Sequence, residues 1–282
     1  MPNDLLGNAK KAPKFIHTLI GADPEFVLLA RADGHLVTNP FTNILLDEGH
    51  IGTDHGGRVT ELRPNPARYA FTICRRIKRM LEAKQTLTAI GNYRWRAGAC
   101  PVVPAGGRQD FPQPIGGHIH IGIPRFSAEQ DRAMNDINNL LLALDILPHD
   151  EDLIRRRHGY GAGNRDDIRE CYEGVDAASW HVEHRVFPSW LHHPVAAMLT
   201  LTGAKIATNF PMYVPQHGEE ALETLRNLFF TFRNMSKDIG LAYERIIEPV
   251  TRTRQLQFDP TVDFREPWAR WSGGKQWEIG RG

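Results

Sequence analysis

Ionisable side chains recur in pairs separated by a single residue, in four segments where apolar residues fill the alternate positions. The pairs are Asp23/Glu25, Glu61/Arg63, His118/His120 and Glu183/Arg185. Because residues i and i+2 of a β-strand lie on one face, each segment would present both side chains to the same side of a sheet. Pro24 interrupts the first segment, which predicts a sheet edge or a bulge there. Apolar neighbours such as Phe26 and Leu62 predict helices packed on the opposite face.

Helices are predicted between these strands and after them. Asn65 is a candidate N-cap, with Pro66 at the first helical position. Ser127 and Gln130 form a capping-box pattern ahead of a second helix. Apolar periodicity predicts two more helices, over about residues 194–209 and 219–247, the second broken or bent near Gly240. Since helices and strands do not alternate regularly, the sequence predicts an α+β fold.

An ordinary solvated sheet face is the alternative explanation of the paired residues. For Glu61 and Arg63 alone it is the better one, because exposed charged pairs are common. Four strands that offer only Asp, Glu, His and Arg are different, since such a cluster would repel itself unless it bound cations and anions. Carboxylates suit hard divalent cations, and arginines suit phosphate oxygens. The pattern therefore favours a site for metal ions and phosphate.

Four segments resemble, in the same order, the signature strands of the amidoligase superfamily, which includes the glutamate-cysteine ligases. They are Gly21–Phe26, Glu61–Pro64, Gly116–Gly122 and Glu183–Arg185. The chain is most similar to the bacteriophage carboxylate-amine ligases of that superfamily. The resemblance implies a curved antiparallel sheet that forms a funnel-shaped active site, like that of glutamine synthetase and glutamate-cysteine ligase. It also implies an ATP-dependent enzyme that joins a carboxylate to an amine through an acylphosphate intermediate.

The same resemblance assigns roles to individual residues. The implied metal ligands are Asp23, Glu25, Asp54, Glu61, His118 and Glu183. Arg63 and Arg185 match phosphate-facing arginines and are the candidate catalytic residues. Arg165 and His120 are further candidates for contact with ATP or substrate. The implied cofactors are ATP and two or three Mg²⁺ ions. Asp23 departs from the glutamate-cysteine ligases, which carry the longer Glu at that position.

Two rival functions come from other classes of protein. A zinc hydrolase could use His118 and His120 together with a carboxylate, although the surplus of carboxylates favours Mg²⁺. A phage-associated binding module could keep the sheet and bind ligands without turnover.

Composition limits the partners and the compartment. A formal net charge of +1 offers no general attraction for nucleic acid. No segment approaches the roughly 20 apolar residues of a membrane helix. Three scattered cysteines favour a reducing compartment, so we expect a cytoplasmic protein, in the host cell if the gene belongs to a phage. The expected substrates are small-molecule or peptide carboxylates and amines.

The chain is predicted to divide into a single amidoligase catalytic domain, residues 1–250, and a Trp-rich tail, residues 251–282. The tail carries Trp268, Trp271 and Trp277. Packing against the domain is the favoured role, because a series of exposed tryptophans is costly. Closing the site, or contacting a second copy of the chain in a homo-oligomer, are the alternatives. Two further stretches, residues 105–107 and 160–165, are candidate lids.

Overall fold

The computed structural model describes residues 18–99, 102–105, 108–113, 115–123, 127–148, 168–172, 180–209 and 263–271, with single positions between 223 and 248. The strands in these ranges are β1 Ile20–Leu29, β2 Ile44–Leu46, β3 Gly49–Asp54, β4 Val59–Pro64, β5 Arg94–Arg96, β6 Val102–Ala105, β7 Arg108–Pro112, β8 Gly117–Ile121, β9 Ile168–Tyr172 and β10 Trp180–His184. The helices are α1 Ala70–Glu82, α2 Lys84–Ile90, α3 Ala128–Ala143, α4 Pro194–Asn209 and α5 Arg265–Arg270.

An open antiparallel sheet organises the molecule. Its strand order is β2-β3-β4-β1-β8-β10-β9, and β5 pairs with the end of β1. Strands β6 and β7 form a separate two-stranded sheet. The predicted α+β fold with an antiparallel sheet is confirmed.

The main core lies between one face of this sheet and the helices. Phe26, Leu62, Ile119 and Val182 come from four adjacent strands and are fully buried. They pack with buried side chains of α1, α3 and α4 in one cluster. The alternate residues of these strands therefore face away from the helices, as the sequence pattern predicts.

Helix starts follow local capping only in part. The capping box before α3 is confirmed, because the Ser127 hydroxyl accepts a hydrogen bond from Gln130 N and the Gln130 side chain accepts one from Ser127 N. The start predicted at Pro66 is wrong, since α1 begins at Ala70. Ala67 instead exchanges two backbone hydrogen bonds of 2.8 Å with Ile20, which keeps this segment extended.

Pro24 lies in a central strand, so the predicted sheet edge is wrong. Residues 20–24 of β1 pair with β8 in regular register, without a bulge. The described pairing with β4 begins at the next residue, Glu25. Pro24, which has no N–H to donate, thus lies where one ladder ends and another begins.

Part of the C-terminal tail packs into the core. Phe264 and Trp268 are each 1% exposed, and the Phe264 ring lies edge-on to Phe26 with centroids 5.3 Å apart. Trp271 is half-buried against Phe71. Trp277 and most of the helix predicted over residues 219–247 lie outside the described residues. Within the described part of the chain, no helix combines the length and apolar character needed to cross a bilayer.

Candidate active site

Strand pairing brings the ionisable pairs together on the face away from the helices. Glu25 is paired with Glu61 across β1 and β4, and Asp23 with His118 across β1 and β8. Glu183 on β10 is paired with His120. Arg185 lies just beyond the end of β10, with its Nε 3.3 Å from Glu183 Oε1. The four segments therefore form one continuous polar surface.

Three of these residues form what we call the first ligand cluster: Asp23, His118 and Glu183. One ligand atom from each lies within 4.8 Å of the others. His118 Nδ1 is 3.4 Å from Asp23 Oδ1 and 3.2 Å from Glu183 Oε1. Burial would lower the pKa of His118, but the hydrogen bond and charge of Asp23, with further negative charge from Glu25 and Glu183, raise it. The three surrounding carboxylates thus favour the protonated form of His118.

Asp23 also contacts a second histidine, nearer the edge of the cluster. Its Oδ2 lies 3.1 Å from His120 Nε2. Burial would raise the pKa of Asp23, but hydrogen bonds and positive charge from His118 and His120 outweigh burial and lower that pKa well below its usual value. The ring of His181 packs beside His120, with centroids 4.8 Å apart.

Glu61 and Arg63 form an ion pair on β4. Burial, followed by the charge of Asp23 and a hydrogen bond with it, raises the pKa of Glu61 to about 9 in spite of Arg63. Arg63 Nη1 also lies 3.2 Å from Nε2 of His50, its register partner on β3. The carboxylate of Glu61, next to Asp23, is therefore stabilised by a proton or by another cation that neutralises its charge.

A second ligand cluster is formed by Glu25, Asp54 and His55, whose ligand atoms also lie within 4.8 Å of one another. Glu25 is 1% exposed, and its carboxylate accepts a hydrogen bond from Gly116 N. Asp54 ends β3, and His55 begins the turn to β4. This cluster runs from the buried sheet face to an exposed turn.

The segment after β10 supports the strand that carries His118. Trp190 Nε1 donates a hydrogen bond of 3.0 Å to the carbonyl of Gly117. A Cβ at Gly117 would overlap the indole of Trp190, so only glycine fits there. The Ser189 hydroxyl donates to the carbonyl of Glu25. Two adjacent residues thus hold the backbone beside both ligand clusters.

Apolar residues occupy the same sheet face beyond Glu25 and Glu61. Val27 and Val59, each two residues further from the charged pair, are fully buried with Leu29 and Ile115 in a small cluster of their own. Leu36 packs against them. Water is therefore excluded from one end of the charged surface.

The donor set fits divalent cations. Five carboxylates lie on or beside one sheet face, those of Asp23, Glu25, Asp54, Glu61 and Glu183. Carboxylate oxygens with one or two imidazoles are ligands for Mg²⁺ or Mn²⁺. His118 Nε2 is buried and has no hydrogen-bond partner among the described residues. The raised pKa values of His118 and Glu61 favour protons on both side chains in the metal-free protein, and bound cations would replace those protons.

Three polar residues on this surface, His50, His55 and His181, escaped the sequence analysis. His181 precedes Glu183 by two residues, so strand periodicity could have found it. His50 and Asp54 lie four residues apart on one face of β3, but that strand was not predicted. His55 has no periodic signal, since it lies in a turn. Arg165 and the candidate lid over residues 160–165 lie outside the described residues, as do Gly106 and Gly107.

Comparison with known proteins establishes the family. A family model described as phage phiEco32-like COOH.NH2 ligase-type 2 matches residues 20–269. The chain belongs to this family of carboxylate-amine ligases. The match covers every strand and helix named above except the last residue of α5. A search of curated proteins gives no match for this ligase.

A solved ligase structure shares its fold at low sequence identity, and two others align less closely. The complex between the prokaryotic ubiquitin-like protein Pup and its ligase PafA aligns with a TM-score of 0.53 and 10% identity, over 90% of this chain and 68% of that one. A bifunctional glutathione synthetase from Pasteurella multocida gives a TM-score of 0.42 and 13% identity, over 91% and 49%. A glutamine synthase homolog gives 0.42 and 14%, over 90% and 71%.

Proposed function

We propose that this ligase joins a carboxylic acid to an amine in a reaction that consumes ATP and requires Mg²⁺. The observation that supports it is the convergence of two ligand clusters and two arginines on one sheet face, in a chain of the carboxylate-amine ligase family. Two clusters match the need of phosphoryl transfer for several cations around one nucleotide.

The metal ligands in this proposal are Asp23, Glu25, Asp54, Glu61, His118 and Glu183. Bound Mg²⁺ would neutralise phosphate oxygens of ATP. Arg63 and Arg185 are the catalytic residues, because each guanidinium lies beside a carboxylate of the site and can offer N–H groups to phosphate. His120 and Arg165 are assigned to contacts with ATP or substrate.

The reaction needs two steps. A carboxylate oxygen of the acid attacks the γ-phosphorus of ATP, and the bond to the bridging oxygen breaks, giving an acylphosphate and ADP. The amine nitrogen then attacks the acyl carbon, phosphate leaves, and the nitrogen loses a proton. Neither step requires a nucleophile from the protein, which agrees with the burial of Cys74 in the core. The apolar cluster around Val27 would help to keep water from the acylphosphate.

The substrates are assigned only by class, as small-molecule or peptide acids and amines. In the PafA structure the partner of the ligase is itself a protein. Protein side chains therefore belong among the acceptors to be tested. We propose a cytoplasmic enzyme that does not bind nucleic acid.

ADP release measured over pairs of acids and amines, with product masses read afterwards, tests the proposal. Glu183→Gln should abolish release, because it removes a carboxylate from the first ligand cluster. Glu82→Gln is the matched control, since Glu82 is an exposed partner of Lys78 on α1. Failure of any pair to release ADP above background, with folded protein and Mg²⁺, would contradict the proposal.

The same assay separates the zinc hydrolase built on His118 and His120. A hydrolase would cleave amide or ester substrates with Zn²⁺ and without ATP. A binding module without turnover would bind ATP and release no ADP.

A further inference from the structure

His55 lies where a third donor can reach the cation that Glu25 and Asp54 would bind. The ligand atoms of the three residues lie within 4.8 Å of one another. Asp54 and His55 are exposed, whereas Glu25 is buried, so a cation can enter from the turn side. The resemblance to the amidoligases pointed to Glu25 and Asp54 but not to the histidine.

The backbone at His55 is unusual for a residue with a side chain. Its φ is 48°, in the left-handed region, and Gly56 and Gly57 follow with φ of 67° and 83°. Asp54 Oδ1 accepts a hydrogen bond of 2.7 Å from His55 N. This conformation costs energy that glycine would not incur, yet the chain has histidine first and glycine next.

The turn is anchored on its other side. Asn39 N donates a hydrogen bond of 2.8 Å to Gly57 O. The Asn39 side chain fills the space where a Cβ of Gly57 would lie. The turn therefore offers its imidazole from a defined position beside β3 and β4.

We infer that His55 supplies a nitrogen ligand to the second ligand cluster and biases that site toward Mn²⁺ over Mg²⁺. The inference rests on the proposed function only for the cation site itself. Mg²⁺ prefers an all-oxygen octahedral shell, whereas Mn²⁺, a first-row transition metal, accepts an imidazole nitrogen more readily. A site of two carboxylates and one imidazole should bind Mn²⁺ more tightly than carboxylates alone.

The test is Mn²⁺ binding to the metal-free full-length protein, without nucleotide or substrates. Electron paramagnetic resonance counts bound Mn²⁺, and electron spin echo modulation detects nitrogen coordinated to it. His55→Gly removes the imidazole and relaxes the left-handed backbone. Removal of a hydrogen-bond partner of a metal ligand weakens metal affinity roughly 10–100-fold. Removal of a ligand itself should therefore weaken Mn²⁺ affinity at one site at least about tenfold. Mg²⁺ affinity should change much less.

Four further variants assign the signals. His118→Ala should remove the nitrogen coupling of the other site, and the double variant should remove all of it. His35→Ala is the control, because His35 is a partly exposed histidine that contacts Asp33 outside both clusters. His55→Asn tolerates the same backbone and should restore cation binding without nitrogen coupling.

Unchanged Mn²⁺ affinity and nitrogen coupling in His55→Gly would overturn the inference. A thermal unfolding temperature equal to or above wild type, without metal, shows that the variant is folded. Ligase activity is not part of this readout. A chain without turnover could still show His55 coordination, and an active ligase could lack it, so failure here and failure of the proposed function are distinguishable.

Discussion

Each arginine of the site is restrained by a carboxylate two residues earlier in the chain. Arg63 contacts Glu61 and His50, and Arg185 contacts Glu183. Such contacts limit the conformations of a long side chain, so less entropy is lost when phosphate binds.

Replacing Arg185 by lysine tests this geometry. Lysine keeps the charge but loses the planar fork that spans two phosphate oxygens, so we expect turnover to fall far more than ATP affinity. Steady-state kinetics with calorimetric ATP binding measure the two effects. Equal losses would assign Arg185 to ground-state binding instead.

Among buried residues outside the site, His192 has a strongly perturbed environment. It is 5% exposed, with Nε2 3.1 Å from Ile146 O. Burial lowers its pKa to about 4. Because this folded-state pKa is below that of the unfolded chain, the unfolded state takes up the proton first as the pH falls. His192 therefore lowers stability below pH 6.5.

We expect His192→Gln to reduce the loss of stability between pH 7.5 and 5.5 by about 1 kcal/mol, the value of protonating one histidine only in the unfolded chain. Urea unfolding at both pH values measures it. The comparison is the pH-dependent difference, so a uniform loss of stability in the variant does not affect the result. An unchanged difference would mean that His192 is protonated in the folded protein.

At the scale of elements, strand β3 shapes the site because one of its residues, Gly52, has no side chain. Gly52 is paired with Glu61, and a Cβ there would lie 2.9 Å from Arg63 Nη1. The absence of a side chain lets the guanidinium of Arg63 extend across β3. The constraint concerns the end of a flexible side chain, so it affects position more than folding.

Gly52→Ala should therefore displace Arg63 and leave stability nearly unchanged. A misplacement of about 1 Å near reacting atoms can cost roughly a hundredfold in rate, which sets the scale of the expected loss of turnover. Gly122→Ala is the matched control, since its Cβ would find no atom closer than 3.4 Å. Equal activity of both variants would show that Arg63 does not depend on Gly52.

Local patterns predicted the strands that carry the site but not their surroundings. Alternation around Asp23, Glu61, His118 and Glu183 is a property of each strand alone, and the antiparallel sheet confirms those strands. The contact between Ile20 and Ala67, which delays the start of α1, joins distant segments and has no local signal. Likewise His55 reaches Glu25 only because β3, β4 and β1 are neighbours in the sheet.

For the whole molecule, the C-terminal segment acts as part of the core. Trp268 Nε1 donates a hydrogen bond of 2.6 Å to Leu191 O, and Leu191 follows Trp190, which supports the His118 strand. Lys78 of α1 donates to the carbonyl of Trp268. These contacts join residues 263–271 of the predicted tail to the predicted catalytic domain.

Trp268→Ala should destabilise the protein by about 3–5 kcal/mol, the usual cost of removing a buried tryptophan. Trp271→Ala should cost clearly less, because that side chain is only half-buried. Urea unfolding of both variants, in parallel with Mn²⁺ binding, measures the effect on stability and on the site. Equal and small losses would show that this segment only covers the surface.

The central position of β1 also has a consequence for how the protein reaches its native state. Glu25 contacts Ser189, 164 residues later in the chain, and Gly116, 91 residues later. The entropy of closing such long loops is lost before the stabilising contacts form. Folding should therefore be slow compared with proteins whose contacts are mostly local in sequence. The earliest folding species would contain helices without a cation site. Metal ions added at the start of refolding should accordingly leave the first phase unchanged and accelerate or stabilise only the last.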